Sequence, residues 1–114
     1  MNTADALLPA AAVISTRLAP FRPCIVIPFY RHERAIAAVI DRLKPFGLDC
    51  WIVDDGSGAQ SRPTLHAIAT RESTWLHLHR LAQNRGKGAA VMSGCARALA
   101  QGFTHAVQLD ADGQ

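Results

Sequence analysis

The chain has 114 residues, enough for one domain with a single core, and its 49% apolar and 18% charged content excludes an intrinsically disordered chain. The net charge of +3 is mild and the basic residues are scattered, so the composition does not support binding to nucleic acid or to a membrane surface. The three cysteines form no C-x-x-C pair and no metal-ligand spacing, which indicates free thiols in a reducing cytoplasm.

Residues 1–22 precede the first predicted strand and indicate a short helix or an N-terminal arm. Their apolar run is interrupted by Pro9 and is far shorter than the ~20 residues that span a bilayer. Asp5 stands where a signal peptide would carry a positive charge. We therefore expect no transmembrane segment in this chain and one domain over residues 23–114.

Four β-prone runs predict four strands, at residues 24–28, 50–53, 75–81 and 104–109. The first two are continuously apolar, as in central parallel strands, and Pro28 is expected to end the first because it cannot donate to the ladder. The third alternates leucine with His77 and His79, which predicts a half-exposed strand at a sheet edge. The fourth is expected to be a buried strand.

Three helices are predicted between these strands. The first carries an apolar stripe at i, i+3, i+4 and i+7 and is stopped by Pro45 and Gly47. The second is expected to begin with Ser61 as its N-cap. The third is predicted from about residue 89 to 101, with Val91, Cys95 and Leu99 on its face. The stripe of the first helix consists of Ile36, Val39, Ile40 and Leu43.

Strands that alternate with helices predict an α/β fold: a Rossmann-like parallel sheet in the order 3-2-1-4 with helices on both faces. All carboxyl ends of such a sheet lie on one rim, and ligands bind where the strand order reverses. Three polar clusters should therefore converge on one crevice. They are residues 28–31 after the first strand, 54–57 after the second and 110–112 after the fourth.

Asp110 and Asp112 end the fourth strand two residues apart, so both carboxylates are expected on one side of it. Two neighbouring carboxylates repel each other unless a cation lies between them. Oxygen ligands fit a hard ion such as Mg²⁺ or Mn²⁺, which keeps other positions for water and phosphate. The alternative interpretation is a polar turn that closes the strand.

The cluster after the second strand and a further segment, residues 84–88, also have a chemical and a plain interpretation. Asp54 or Asp55 fits a hydrogen bond to a base edge or a ribose, or a simple Asp-Gly turn. Residues 84–88 (Asn-Arg-Gly-Lys-Gly) precede a helix, a geometry that binds phosphate, although they are not a Walker P-loop. The alternative is a solvated loop with a glycine hinge.

Taken in order, four motifs resemble the signature of family 2 glycosyltransferases: Ile-Pro-Phe-Tyr at 27–30, Val-Asp-Asp-Gly-Ser at 53–57, Asn-Arg-Gly-Lys-Gly at 84–88 and Leu-Asp-Ala-Asp-Gly-Gln at 109–114. Members of this family are inverting, nucleotide-sugar-dependent enzymes with the glycosyltransferase A-type fold. The polyprenyl- or dolichyl-phosphate sugar transferases are the most similar branch. The resemblance covers residues 24–114 and implies the N-terminal half of such a domain.

The resemblance implies a role for each matching residue. Pro28 and Tyr30 would line the base and ribose pocket, with Glu33 as the acidic residue that follows. Asp54 would bind the base and Asp55 would support the nucleoside. The nucleotide phosphates would lie near Arg85, Gly86 and Lys87. Asp110 and Asp112 match the family's D-x-D, which binds Mn²⁺ or Mg²⁺, and Asp110 would also contact the donor. Arg31 departs from the motif, which often has asparagine there.

The resemblance also implies what this chain does not contain. An inverting transfer needs a general base for the acceptor hydroxyl or an acceptor that is already anionic, and in the family that base follows the D-x-D, here beyond Gln114. We expect a donor-binding half that does not turn over alone, in an enzyme that uses a UDP- or GDP-linked sugar and a lipid-linked or saccharide acceptor. The implied location is the cytoplasm, near the cytoplasmic face of a membrane. Two other classes stay open: a sugar-phosphate nucleotidyltransferase and a non-catalytic Mg²⁺-binding α/β module.

Overall fold

The computed structural model describes residues 20–112, in which four parallel strands form one sheet in the order β3-β2-β1-β4. This confirms the predicted order, with β3 at an edge and three helices distributed over the two faces. The predicted arm at residues 1–22 lies outside the described residues except for its last three, and Gln114 lies outside them as well. The strands are β1 (Pro23–Phe29), β2 (Asp49–Asp54), β3 (Leu76–Arg80) and β4 (His105–Gln108). The helices are α1 (Ile36–Leu43), α2 (Arg62–Arg71) and α3 (Lys87–Ala100), with a 3-10 turn at Lys44–Phe46.

Pro28 does not end β1, which continues to Phe29 and keeps its register with β2. The Val26 carbonyl accepts a hydrogen bond from Leu109 and the Phe29 carbonyl accepts one from Asp55, so alternate residues of β1 face β4 and β2. Pro28 therefore faces the side of β4, which stops at Gln108. Since β4 has ended before it reaches Pro28, no hydrogen bond between the strands is lost because proline lacks an N–H.

The face of the sheet covered by α1 and α2 holds the larger core. Odd-numbered residues of β1, among them Ile25 and Ile27, pack there against the predicted α1 stripe, all four members of which are buried. Even-numbered residues such as Cys24 and Val26 point to the opposite face, under α3. Cys24 and Cys50 are buried free thiols, and burial raises the pKa of Cys50 to about 12. Because successive side chains of a strand point to opposite faces, the continuous apolar run of β1 contributes to the cores on both sides of the sheet.

The contact face of α3 differs in part from the predicted one: Cys95 packs against the core, but Leu99 does not. The buried residues are Ala90, Gly94 and Ala98, whereas Leu99 is 72% exposed. A Cβ on Gly94 would lie 2.7 Å from a Val26 methyl and 2.8 Å from a Val53 methyl. The helix therefore approaches the sheet along its smallest residues, because the valines of β1 and β2 already fill the space between them.

The prediction of a buried β4 is also wrong, since all four of its residues are exposed. Within residues 20–112 β4 has one neighbouring strand, β1, and α3 packs mainly over β1 and β2. The apolar residues of β4 therefore have no covering layer in this part of the chain. None of the described helices is long and apolar enough to cross a membrane.

Candidate functional site

A cavity of about 280 Å³ opens at the carboxyl ends of β1, β2 and β4, beside the start of α3. Its position between β1 and β4 is the point where the strand order reverses, as the sequence predicts. The cavity brings together residues from all four predicted motifs. Its lining consists of Pro28, Phe29, Tyr30, His32, Asp55, Asn84, Gly86, Lys87, Asp110, Ala111 and Asp112.

The two aspartates that follow β4 line the cavity on either side of a residue that is packed into the core. Ala111 is 2% exposed and packs in the core on the α1 side of the sheet, while Asp110 and Asp112 line the cavity on either side of it. The Asp110 Oδ1 lies 2.7 Å from the Lys87 Nζ at the first residue of α3. The carboxylates and the loop before α3 thus form one wall.

This donor set fits a hard divalent ion. Residues 20–112 contain no cluster of three or more His, Cys, Asp or Glu side chains arranged to hold a metal. Two carboxylates from Asp110 and Asp112 are nevertheless what Mg²⁺ or Mn²⁺ commonly takes from a protein when substrate phosphates and water complete its shell. The residues present therefore match an ion shared with a phosphate ligand, and do not match a closed structural metal site.

Asp55 lines the cavity and fixes the loop that precedes α3. Its side chain is 3% exposed, and its two oxygens accept hydrogen bonds from the backbone N–H groups of Arg85 at 2.7 Å and Gly86 at 2.9 Å. The Asn84 amide adds bonds to the Asp55 carboxylate at 3.2 Å and to its carbonyl at 3.1 Å. The carboxylate holds a whole loop in place, and Asp55 is in this structure a positioning residue.

Gly56 allows this loop to come so close. It has a φ of +75°, and a Cβ there would lie 2.5 Å from the Gln83 carbonyl carbon and closer still to the Asn84 nitrogen. Any larger residue would push the loop away from β2. The glycine expected from the Asp-Asp-Gly-Ser motif is thus required both by its backbone conformation and by the contact.

Three of the predicted site residues are not in the cavity lining. Asp54 is fully buried, and its oxygens accept hydrogen bonds from the Ser57 backbone and the Arg80 side chain, each at 3.0 Å. The Glu33 carboxylate accepts a hydrogen bond from the Ser61 hydroxyl at 3.2 Å. Ser61 is the N-cap residue of α2, as predicted, but its hydroxyl binds Glu33 and makes no capping bond to the helix. Arg85 contributes its backbone to the loop. The ligand contacts predicted for Asp54, Glu33 and Arg85 stay predictions.

The sequence assigned no ligand role to two residues that line the cavity. His32 and Asn84 line it, and His32 meets the Phe29 ring edge-on with centroids 6.3 Å apart. Arg31 has a φ of +61°, a left-handed conformation that asparagine adopts more readily than arginine, and its guanidinium lies 4.8 Å above the Tyr30 ring. The arginine thus packs against the Tyr30 ring without lining the cavity, and its departure from the motif, which often has asparagine here, was the signal in the sequence.

A larger groove of about 700 Å³ lies elsewhere, between the C-terminal half of α3 and strands β2 and β3. Its histidines are bonded within the protein: His77 to the Asp49 carboxylate at 2.9 Å and His79 to the Ser93 hydroxyl at 3.1 Å. The Trp51 ring stacks on His77, with centroids 4.3 Å apart. None of the four motifs contributes to this groove. The candidate site is therefore the cavity of about 280 Å³ at the carboxyl ends of the strands, called the rim cavity below.

Comparison with protein families matches residues 24–114 to the family described as glycosyl transferase family 2. The chain belongs to glycosyl transferase family 2. The match spans all four motifs, and it confirms the resemblance drawn from them. A search of curated proteins finds no significant match.

Solved structures show the same fold as this family 2 chain. The mannosyltransferase PcManGT from Pyrobaculum calidifontis, in complex with GDP-Man and Mn²⁺, has a TM-score of 0.66 and 20% identity, over 93% of this chain and 34% of that one. The S. aureus TarS structure of residues 1–349 has a TM-score of 0.64 and 19% identity, over 81% and 28% respectively. The chain thus spans about a third of the length of these structures, and the likeness concerns the fold alone.

Proposed function

We propose that this chain forms the donor-binding part of an inverting, metal-dependent glycosyltransferase. The donor is a nucleoside-diphosphate sugar, linked to UDP or GDP, and the acceptor is a lipid-linked or saccharide hydroxyl or phosphate. The observation that carries the proposal is the convergence of two aspartates, a lysine and an ordered glycine loop on one cavity at the switch point of the sheet. The proposed location is the cytoplasm, at the cytoplasmic face of a membrane.

Each wall of the cavity has a separate task in this proposal. Pro28 and Tyr30 face the base and ribose with an apolar and an aromatic surface. Gly86 and Lys87, at the start of α3, lie beside the diphosphate, where a helix N-terminus and an ammonium both favour negative charge. Asp110 and Asp112 hold the divalent ion. Such an ion, when bound, neutralises the charge that develops on the departing nucleoside diphosphate.

The neighbour in complex with GDP-Man and Mn²⁺ supports a nucleotide sugar and a divalent ion as the ligand pair. That support concerns the class of ligand, since the two sequences share 20% identity. The general base and the acceptor-binding elements belong, in our proposal, to parts of the enzyme other than these 114 residues. The chain by itself should bind nucleotide weakly and transfer no sugar.

Thermal shift with UDP-, GDP- and dTDP-sugars, each with and without Mn²⁺, tests the proposal. A ligand that binds only the folded state raises its stability by RT ln(1 + [L]/Kd), about 2.7 kcal/mol at a hundredfold excess over Kd. We expect one nucleotide to raise the melting temperature only with Mn²⁺, and Asp112→Asn to abolish that rise. Asp41→Asn is the matched control, because Asp41 is an exposed carboxylate on α1, outside the cavity lining.

The same panel, extended by nucleoside triphosphates with a sugar 1-phosphate, separates the alternatives. No response to any nucleotide in a folded sample contradicts the proposal and favours the non-catalytic α/β module. Stabilisation by a nucleoside triphosphate together with a sugar 1-phosphate favours the nucleotidyltransferase. A response that survives Asp112→Asn places the metal elsewhere and contradicts the assignment of the D-x-D.

A further inference from the structure

The Lys87 ammonium lies in this structure where it neutralises part of the predicted metal site. Its Nζ is 2.7 Å from the Asp110 Oδ1, and both side chains line the rim cavity together with Asp112. Two carboxylates on one wall repel each other, and a cation nearby lowers that repulsion. The lysine therefore supplies, at Asp110, a positive charge of the kind that a divalent ion would supply.

The Lys87 backbone is held by a neighbouring hydrogen bond, whereas its side chain is exposed to solvent. Lys87 is the first residue of α3, and the preceding Gly86 is held by its N–H bond to the buried Asp55 carboxylate. The side chain itself is 59% exposed and that of Asp110 40% exposed, so their ion pair is one that solvent screens. Exposed pairs of this kind contribute little to stability, so a competing charge has little to overcome in displacing one partner.

We propose that Lys87 and the divalent ion exchange on Asp110. Without metal, the ammonium pairs with the Asp110 carboxylate. When an ion occupies the two aspartates, Lys87 is released and turns to the other negative charge at this end of α3, the diphosphate of the donor. The second half of this inference rests on the proposed function, whereas the competition between Lys87 and the metal for Asp110 does not.

The exchange predicts effects of opposite sign for one substitution. Lys87→Met keeps the length of the side chain and removes its charge, so the metal no longer displaces an ion pair. We expect the affinity for Mn²⁺ alone to rise about two- to fivefold, the range that a surface ion pair allows. The affinity for a nucleoside diphosphate at saturating Mn²⁺ should instead fall, by about tenfold or more, because a charge-assisted contact to phosphate is lost.

Titration calorimetry with Mn²⁺ alone, and then with GDP or UDP at saturating Mn²⁺, measures both effects. Lys87→Arg keeps the charge and should restore both affinities towards the wild-type values. Arg62→Met removes an exposed cation at the start of α2, outside the cavity lining, and controls for the general loss of positive charge. It should change neither affinity.

The outcomes are distinguishable. An Mn²⁺ affinity that is unchanged or lower in Lys87→Met overturns the exchange, and so does an absence of Mn²⁺ binding in both proteins. If the Mn²⁺ affinity rises but neither protein binds a nucleotide, the competition for Asp110 stands and the proposed glycosyltransferase function is what fails. If both affinities fall together, Lys87 is a structural support of the cavity and the exchange is wrong.

Discussion

The rim cavity and the groove under α3 differ in how their polar groups are used. The groove is the larger, at about 700 Å³ against about 280 Å³. In the groove, side chains of the sheet pair with one another or with α3, as His77 does with Asp49 and His79 with Ser93. At the rim, the buried Asp55 carboxylate binds the backbone of a loop, and that loop places Lys87 beside Asp110.

This difference shows why the volume of a cavity is a poor guide to function. In the groove, the His77–Asp49 pair joins two strands and the His79–Ser93 pair joins a strand to α3, so these bonds stabilise the fold. A carboxylate that binds backbone N–H groups fixes the loop and lets side chains such as Lys87 face the cavity. We therefore expect substitutions at the rim to change ligand binding and substitutions in the groove to change only stability.

The largest effect is expected from Gly56→Ala at the rim. The new methyl group would collide with the backbone of Gln83 and Asn84, and a φ of +75° is strained for alanine. The two costs together should lower the free energy of unfolding by about 3 kcal/mol or more. Urea unfolding measures that loss, and the Mn²⁺-dependent response to nucleotide should disappear in the fraction that stays folded.

Gly58→Ala is the matched control within the same turn. A Cβ there meets nothing within 4 Å, and the residue has no positive φ. Its free energy of unfolding should stay within about 0.5 kcal/mol of the wild type. Equal losses for the two variants would mean that the whole turn, rather than the close contact of Gly56 with the loop, determines stability.

A smaller effect is expected where α3 meets the sheet, between the two regions. Gly94→Ala would press a methyl group against Val26 and Val53, at 2.7 and 2.8 Å. Overpacking costs about 1–3 kcal/mol and the better helix propensity of alanine returns up to about 1, so a net loss of about 1 kcal/mol is expected in urea unfolding.

Gly88→Ala, on the same helix, tests the effect of helix propensity without any overpacking. A Cβ at Gly88 meets nothing within 4 Å, so this variant should be more stable than the wild type by up to about 1 kcal/mol. A stabilising Gly94→Ala would show that α3 moves easily on the sheet. The start of α3 at the rim and its C-terminal half in the groove would then be less firmly connected than the packing indicates.

Much of the fold can be predicted from local patterns in the sequence. The continuous apolar runs of β1 and β2 and the four-residue stripe of α1 predict buried elements, and all of them are buried. The alternation of leucine with His77 and His79 predicts the edge position of β3. Each of these signals depends on the periodicity of a single element, which the chain displays without knowledge of its neighbours.

The errors arise where two elements meet. Leu99 is more hydrophobic than Gly94, yet the close approach of α3 to Val26 and Val53 requires the smaller residue. Asp54 and Asp55 are adjacent acids in one motif, but the pleat buries Asp54 beside Arg80 and turns Asp55 to the loop. Such assignments follow from three-dimensional distances between distant parts of the chain, which periodicity does not contain.

The smallest predicted effect concerns His79 in the groove. Burial, and then the nearby positive charge of Arg97, lowers the pKa of His79 below its usual 6.5, while Ser93 on α3 bonds its Nε2. The folded state therefore prefers the neutral ring. The unfolded chain binds more protons as the pH falls through 6.5, so the stability that the neutral ring contributes is present above pH 6.5 and is lost as the pH falls through the lower folded value.

The measurement compares the wild type with His79→Gln, because the chain contains four other histidines. Between about pH 7.5 and 5.5 the free energy of unfolding should fall less steeply in the variant, and Arg97→Gln should fall between the two. Equal slopes would contradict the assignment of this pH dependence to His79.

The same titration followed by NMR sharpens the comparison of the two regions, since a nucleotide with Mn²⁺ bound at the rim should leave the pKa of His79 unchanged. A diphosphate bound in the groove beside Arg97 would raise it, because a negative charge next to the ring favours its protonated form.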